Sequence, residues 1–330
     1  MRSVLHVLGP SHGGIRRHVR HLAANPPPGW ETAGVAGPAD LAPYLEGLPF
    51  RPASALSVPG MRSVELVHAH GLTAGAWTGA RPLRPPIVLT LHTDPTRVGR
   101  SSRSRALGAV APLVVARAAA VIAASAEVAG AFTGAVHIPP AVDPRGAAVR
   151  PRAEVRAELG AGPDDVVVLT LARLSPEKDL DILLDAVREA GCLAWIAGDG
   201  PERRRLERLA DGLPVRFLGH REDVADLLAA ADVFALTSRS EAYPIVVVEA
   251  VTAGLPVVAT RVGQVPDIAG DAGLLVAPGD RTAFAAALRT VTGDPSARVQ
   301  LARAARAHAL PTPAELVERV GAVYDEVVGR

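Results

Sequence analysis

Along this chain, short continuous apolar runs alternate with stretches of helical period, and the alternation is the main structural signal. In the first half, residues 4–8 read as a strand, followed by Gly9-Pro-Ser-His-Gly-Gly14 and a helix over 15–24. Further strands are predicted at 66–69, 87–91 and 121–123. The second half is more regular. It predicts strand 166–171, helix 177–190, strand 193–197, helix 201–210, strand 215–218, helix 222–229 and strand 233–236. Helix 246–253, strands 256–259 and 273–276, and helix 281–290 follow. A last amphipathic helix over 313–328 comes after a proline break. Strands that are apolar throughout, each followed by a helix, imply parallel sheets covered on both faces. The segment His137-Ile-Pro-Pro-Ala-Val-Asp-Pro144, with Pro151 behind it, has the turn chemistry of a linker. The expected organisation is therefore two Rossmann-like α/β domains, 1–145 and 146–310, with 311–330 as a terminal helix crossing back to the first. Ligands in open parallel sheets bind beyond the carboxyl ends of the strands, so two facing domains would place those ends across a cleft.

Composition narrows the function classes. At 330 residues, two domains are the natural division. Hydrophobic residues at 48% and charged residues at 21% fit a compact globule. The net charge of +1 gives no general affinity for nucleic acid. A single cysteine, Cys192, excludes an internal disulfide and a cysteine-rich metal site. No run of 18 apolar residues is present, and the N-terminus enters a strand without a signal-peptide pattern, so the expected location is cytoplasmic.

The chemistry concentrates just after predicted strands. Glu241 and Glu249 flank an apolar run that turns from loop into buried helix. Buried carboxylates need partners, and a polyhydroxylated ligand would supply them. Arg173 and Lys178 straddle a helix start beyond strand 166–171, a placement that suits a diphosphate as well as solvated surface charge. Gly13 and Gly14 close the first strand-to-helix turn, where backbone amides can approach an anion or simply make a tight turn. Gly198-Asp199-Gly200-Pro201 reads as a ligand-facing turn or as helix capping by Asp199. His220 sits in a loop that could pack against a flat base or face solvent. His68, His70, His92 and Asp94 lie at strand ends in no compact ligand spacing, so a metal is not expected, and His92 reads as a hydrogen-bond donor to a transferring group. The basic stretch Arg97, Arg100, Arg103, Arg105 reads as a solvated loop, with an anionic acceptor or peripheral membrane contact as the alternatives.

Taken together, Arg173-x4-Lys178, Gly198-Asp-Gly-Pro201, Glu241-x7-Glu249, Ala-Gly-Leu-Pro-Val-Val-Ala-Thr260 and Gly263-Gln-Val-Pro-Asp267 resemble the retaining family 4 glycosyltransferases of the GT-B fold. The resemblance is most specific from Leu169 to Asp280 and extends through Gly13-Gly14, His70, His92 and Val142-Asp143. It implies a nucleotide-sugar donor, most often a UDP-sugar, an acceptor alcohol or glycoside, and no cofactor or catalytic metal. It implies that Glu249 takes the ribose hydroxyls and Glu241 those of the donor sugar. Arg173 and Lys178 would stabilise the diphosphate leaving group, and amides at Gly14, Ile245 and Val246 would complete the phosphate cradle. His92 would stand beside the reacting centre. Where the family often has glycine, this chain has Pro244, which removes an amide donor. The scarcity of aromatics, 3%, favours a small acceptor or a lipid-linked envelope precursor over a long polysaccharide. A Rossmann oxidoreductase is the competing class, but it needs Gly-x-Gly-x-x-Gly after the first strand, and that is absent. A GT-B epimerase or phosphorylase, or a non-catalytic nucleotide-sugar-binding protein, are the remaining alternatives. The sequence says nothing of oligomeric state.

Overall fold

The computed structural model describes the chain except residues 12–13, 80–84, 93–101, 142–145, 242 and 330, and the side chains of 102–107. Gly13, Asp94, Val142, Asp143 and the side chains of the basic stretch 97–105 therefore lie outside the described residues. The chain divides into two compact units, Met1–Asp143 with Pro311–Arg330, and Pro144–Leu310.

Unit 1 holds β1 (Arg2–Leu8), β2 (Trp30–Gly37), β3 (Phe50–Pro52), β4 (Leu66–His70), β5 (Ile87–Leu91), β6 (Ala120–Ala123) and β7 (Val136–His137). They form one parallel sheet in the order β3-β2-β1-β4-β5-β6-β7. Side chains alternate between faces with a period of two, and register then decides who meets whom. Odd positions such as Leu5, Val7, Val67, Ala69, Leu89 and Leu91 pack with the helices Leu72–Gly79 and Ser102–Ala116. Even positions Val4, Leu66, Val88 and Ile122 meet the last helix, Pro313–Gly329, through Leu316, Val320, Val323, Tyr324 and Val327. Burying those five side chains contributes roughly 10 kcal/mol of gross hydrophobic stabilisation, enough to hold the helix on this sheet. Asp325 also accepts from the Trp30 indole N–H at 3.0 Å and from Arg2 at 2.9 Å.

Unit 2 repeats the plan with β8 (Val167–Leu171), β9 (Leu193–Ala197), β10 (Val215–Gly219), β11 (Val233–Leu236), β12 (Val257–Thr260) and β13 (Gly273–Val276), in the order β10-β9-β8-β11-β12-β13 and all parallel. β8 and β11 are buried at every position, as a doubly covered strand requires. In both sheets the winding direction reverses at one point, between β1 and β4 and between β8 and β11. A crevice opens beyond the strand ends at such a switch point.

The structure adds elements that the apolar pattern does not show, among them β2 and the helices Leu72–Gly79, Ser102–Ala116 and Pro295–Ala307. The expected helix 177–190 is broken. A short turn, Pro176–Lys178, is followed by Asp179 in the left-handed region (φ 47°) before the helix Leu180–Ala190 begins. No helix among the described residues is long and apolar enough to cross a membrane.

Candidate functional site at the strand ends

At the switch point of unit 2, the ends of β8, β11 and β12 are tied into one scaffold. Thr237, one residue past β11, donates its hydroxyl to the Lys178 carbonyl at 2.7 Å. The Arg239 amide donates to the Glu177 carbonyl at 2.8 Å, and its guanidinium to the Asp179 carboxylate at 2.8 Å. The Thr260 hydroxyl, at the end of β12, donates to the Ser238 carbonyl at 2.6 Å. The left-handed Asp179 turns the chain so that the Lys178 side chain leaves the helix direction. Its Nζ meets Glu241 Oε1 at 2.6 Å, where the Ser238 hydroxyl also donates at 2.6 Å. The two charges, 63 positions apart, are thus paired in a half-shielded place, with side chains 21% and 13% exposed. Arg173 is exposed, and the Ser175 hydroxyl, with the Lys178 and Arg173 charges adding to it, holds the Glu177 carboxyl below the usual range.

Gly198 and Gly200 answer to the loop that carries Arg173. A Cβ on Gly198 would lie 1.8 Å from the Ala172 carbonyl oxygen, and one on Gly200 2.3 Å from that of Leu174. Gly198 adopts φ 135°, and Leu174 donates its amide to the Asp199 carbonyl at 2.9 Å. The glycines are required for two backbones to touch, and through that contact they set where Arg173 stands. Asp199 does not cap the following helix. Its carboxylate accepts from the Gly200 amide at 2.7 Å, and the helix Arg203–Leu209 has no side-chain cap.

The helix Ile245–Thr252 starts at Pro244 without a capping side chain. Val247 and Val248 turn their amides to the Pro244 carbonyl, which leaves those of Ile245 and Val246 as first-turn donors at the positive end of the helix. One turn on, Glu249 is buried. Tyr243, just before the helix, has its phenol pushed up by burial. Lys178 and Glu241 thus meet beyond the end of β11, and the helix that follows carries Ile245, Val246 and Glu249, whereas His220 is exposed one residue past β10 on the sheet's far edge.

In unit 1, Gly14 opens the helix Gly14–Ala24, and His92 follows β5 directly. His92 is not alone. β1 and β4 pair His6 with His68, β4 and β5 pair His70 with Thr90, and the period of two puts His6, His68, His70, Thr90 and His92 on one face. His18, from the helix Gly14–Ala24, closes over them, with its ring centroid 5.8 Å from that of His70 and 5.2 Å from that of His92. All five imidazoles are buried. Burial lowers His6 and His92 to about 4 and holds His18, His68 and His70 well below the usual imidazole range, with neighbouring imidazoles adding to the last three. The cluster is neutral near pH 7. Spacing along the chain hides it, because its members come from β1, a helix, β4 and β5. Pairing His6 with His68 in a doubly wound sheet is the signal that would have found it. Ser238, Thr260 and Asp179 were likewise missed in unit 2, since their work is to brace Glu241 and Lys178. A shallow cavity of about 430 Å³ lies at the opposite strand ends, lined by Asp165, Val166, Cys192 and Arg289 among others, and holds none of the site residues.

Comparisons with known proteins bear on both units. Residues 6–146 match the family described as "Glycosyltransferase Family 4", and residues 165–294 match that described as "Glycosyl transferases group 1". The sulfoquinovosyl transferase SQD2 of Arabidopsis thaliana is 38% identical over 164 residues, 46% of this chain and 32% of that protein. A D-inositol 3-phosphate glycosyltransferase of Geodermatophilus obscurus is 31% identical over 283 residues, 74% of this chain and 62% of the other. The matched part thus spans less than two thirds of the length of these relatives. Among solved structures, Anabaena Alr3699/HepE in complex with UDP superposes with a TM-score of 0.84 at 24% identity, covering 99% of this chain and 100% of that one. Likeness at that level shows the fold, the paired Rossmann-like units of GT-B proteins.

Proposed function

This chain belongs to the family 4, group 1 glycosyltransferases, and from that premise we propose that it transfers a sugar from a nucleotide diphosphate to an acceptor hydroxyl. The donor is a UDP-sugar in this reading, supported by the UDP complex of the Anabaena protein of the same fold. Transfer proceeds with retention at the anomeric carbon and without a catalytic metal, as the family resemblance implies. The acceptor is a small alcohol or glycoside or a lipid-linked precursor. Relatives named for sulfoquinovosyl transfer and for D-inositol 3-phosphate fit that range.

One observation carries the reading, the bridge between Lys178 and Glu241. Before the donor arrives, the two side chains neutralise each other at the strand ends. A bound donor separates their duties. Lys178, with Arg173, takes the diphosphate, whose oxygens gain charge as the glycosidic bond breaks, and such stabilisation is greatest in the transition state. Glu241 is released to accept from hydroxyls of the sugar. The Ile245 and Val246 amides meet a phosphate at the helix start, and Glu249, buried one turn further on, accepts from the ribose hydroxyls. Gly198 serves by shaping the Arg173 loop, and Gly13 and Gly14 are proposed at the donor phosphates. His220 is proposed beside the base and His92 as a hydrogen-bond donor to the sugar.

Nucleotide release from UDP-, GDP- and dTDP-sugars, measured in EDTA with a panel of alcohols and glycosides, tests the proposal. Acceptor-dependent UDP release should persist in EDTA. Glu249→Gln should weaken UDP binding about tenfold or more by calorimetry, the cost of a lost charge-assisted hydrogen bond. Turnover that depends strictly on an added divalent ion, or unchanged UDP affinity in Glu249→Gln, would remove the corresponding assignment.

A further inference from the structure

The histidine cluster of unit 1 contains two triads whose ligand atoms all lie within 4.8 Å of one another, His6–His68–His70 and His18–His70–His92. The hydrogen bonds distinguish them. His68 is fully engaged, with Nδ1 at 2.6 Å from the Tyr324 hydroxyl and Nε2 at 2.6 Å from that of Thr90. The other triad is different. His18 Nδ1, His70 Nδ1 and His92 Nε2 are buried and have no hydrogen-bond partner among the described residues, in residues at most 6% exposed. Buried polar atoms are rarely left so, because each has given up its hydrogen bonds to water without replacement. Three histidines that bring ring nitrogens within 4.8 Å of one another, each with a buried unpartnered nitrogen, point to a shared partner.

We propose that His18, His70 and His92 form a three-imidazole site for a borderline divalent cation of the Zn²⁺ type. A neutral imidazole offers a lone pair at one ring nitrogen, and Zn²⁺ accepts three of them with a fourth position left for a small ligand. His70 is set for this by His6. Its Nε2 lies 3.1 Å from His6 Nδ1, and donation in that direction leaves the lone pair on His70 Nδ1, the unpartnered atom. No carboxylate belongs to the triad, which selects against Mg²⁺ and Ca²⁺. The site lies within unit 1 and shares His92 with the donor reading above, but cation binding is read without nucleotide or acceptor. It therefore stands or falls separately from that reading.

The test is a Co²⁺ titration of the full chain, stripped with a chelator and followed by visible absorption, since Co²⁺ in a low-coordinate nitrogen site absorbs far more strongly than the aqueous ion. One Co²⁺ per chain should bind and be displaced by Zn²⁺. His18→Gln should lower the affinity by more than about 100-fold, beyond the cost usual for an outer-shell partner. Cys192→Ser, which removes the one thiol, should bind as the unaltered chain does. Absence of stoichiometric Co²⁺ binding, or loss of binding in a folded His68→Gln with retention in His18→Gln, would overturn the assignment. Should His18→Gln fail to fold, X-ray absorption of the Zn²⁺ form decides: three imidazoles in the inner shell support the site, and an all-oxygen shell refutes it.

Discussion

Lys178 and Glu241 illustrate how a charged residue in this protein is specified by its neighbours. Glu241 Oε1 receives both Lys178 and Ser238 at 2.6 Å, so losing either carboxylate or ammonium leaves a half-shielded partner short of a bond. Exposed pairs are worth about 0–1 kcal/mol, and burial of this degree raises the expected coupling to about 1–2 kcal/mol. A double-mutant cycle of Lys178→Met and Glu241→Gln in urea unfolding should return that coupling. Strict additivity would mean that the bridge does not exist in solution, and the proposed exchange of partners on donor binding would lose its basis. Arg173, exposed and in no ion pair with either residue, should show no stability coupling to them.

At the scale of elements, the Gly198 turn shows a short motif doing structural duty for its neighbour. Placing a methyl group 1.8 Å from the Ala172 carbonyl oxygen, at φ 135°, forces one of the two loops to move. Gly198→Ala should therefore cost about 3 kcal/mol or more, read from the urea midpoint at constant m-value. It should also impair turnover in whatever fraction stays folded, because Arg173 travels with Ala172. A cost below about 1 kcal/mol would show that the loops have slack. Elements such as β8, β9 and β11 were legible in the sequence because a doubly covered strand is apolar at nearly every position. β2 was not, since Gly34 at φ 149° and a register shift opposite Val4 and Leu5 interrupt its pattern. The break at Asp179 was hidden for a different reason. Helical periodicity runs through it, and the left-handed residue is held by Arg239, 60 positions away. Among the site residues, Glu241 and Glu249 stood out as carboxylates flanking an apolar run and Lys178 as a cation at a helix start beyond a strand, whereas His6 and His18 acquire meaning only once β1 lies beside β4.

On the scale of the whole molecule, the two units should respond differently to acid. Unit 1 buries His6, His18, His68, His70 and His92, while the histidines of unit 2, His220 and His308, are not buried. An unfolded histidine titrates near 6.5, but the folded cluster resists protonation, down to about 4 for His6 and His92. Between those values the unfolded chain binds more protons, so the stability of unit 1 is complete above about pH 6.5 and falls as the pH drops toward 4. A group lowered this far costs about 2 kcal/mol by pH 5, so His6 and His92 together cost about 4 kcal/mol, and His18, His68 and His70, held well below the usual imidazole range, act in the same direction. Tyr324, bonded to His68 Nδ1, stays neutral across this range, its hydroxyl pushed further up by burial, and Thr90 cannot titrate. In chelator, hydrogen exchange at pH 5 should show protection lost first across β1, β4, β5 and the helix Pro313–Gly329, with β8, β9 and β11 still protected. Calorimetry should resolve a transition that moves steeply down between pH 6.5 and 5 from one that moves little. Loss of protection in β8 and β11 before β1 and β4 would mean that the cluster is open to water and not the acid-labile core of unit 1. A bound Zn²⁺-type ion, by holding His18, His70 and His92 unprotonated, should shift the first transition upward and shrink its pH dependence, and the same exchange experiment with and without the ion reads that shift.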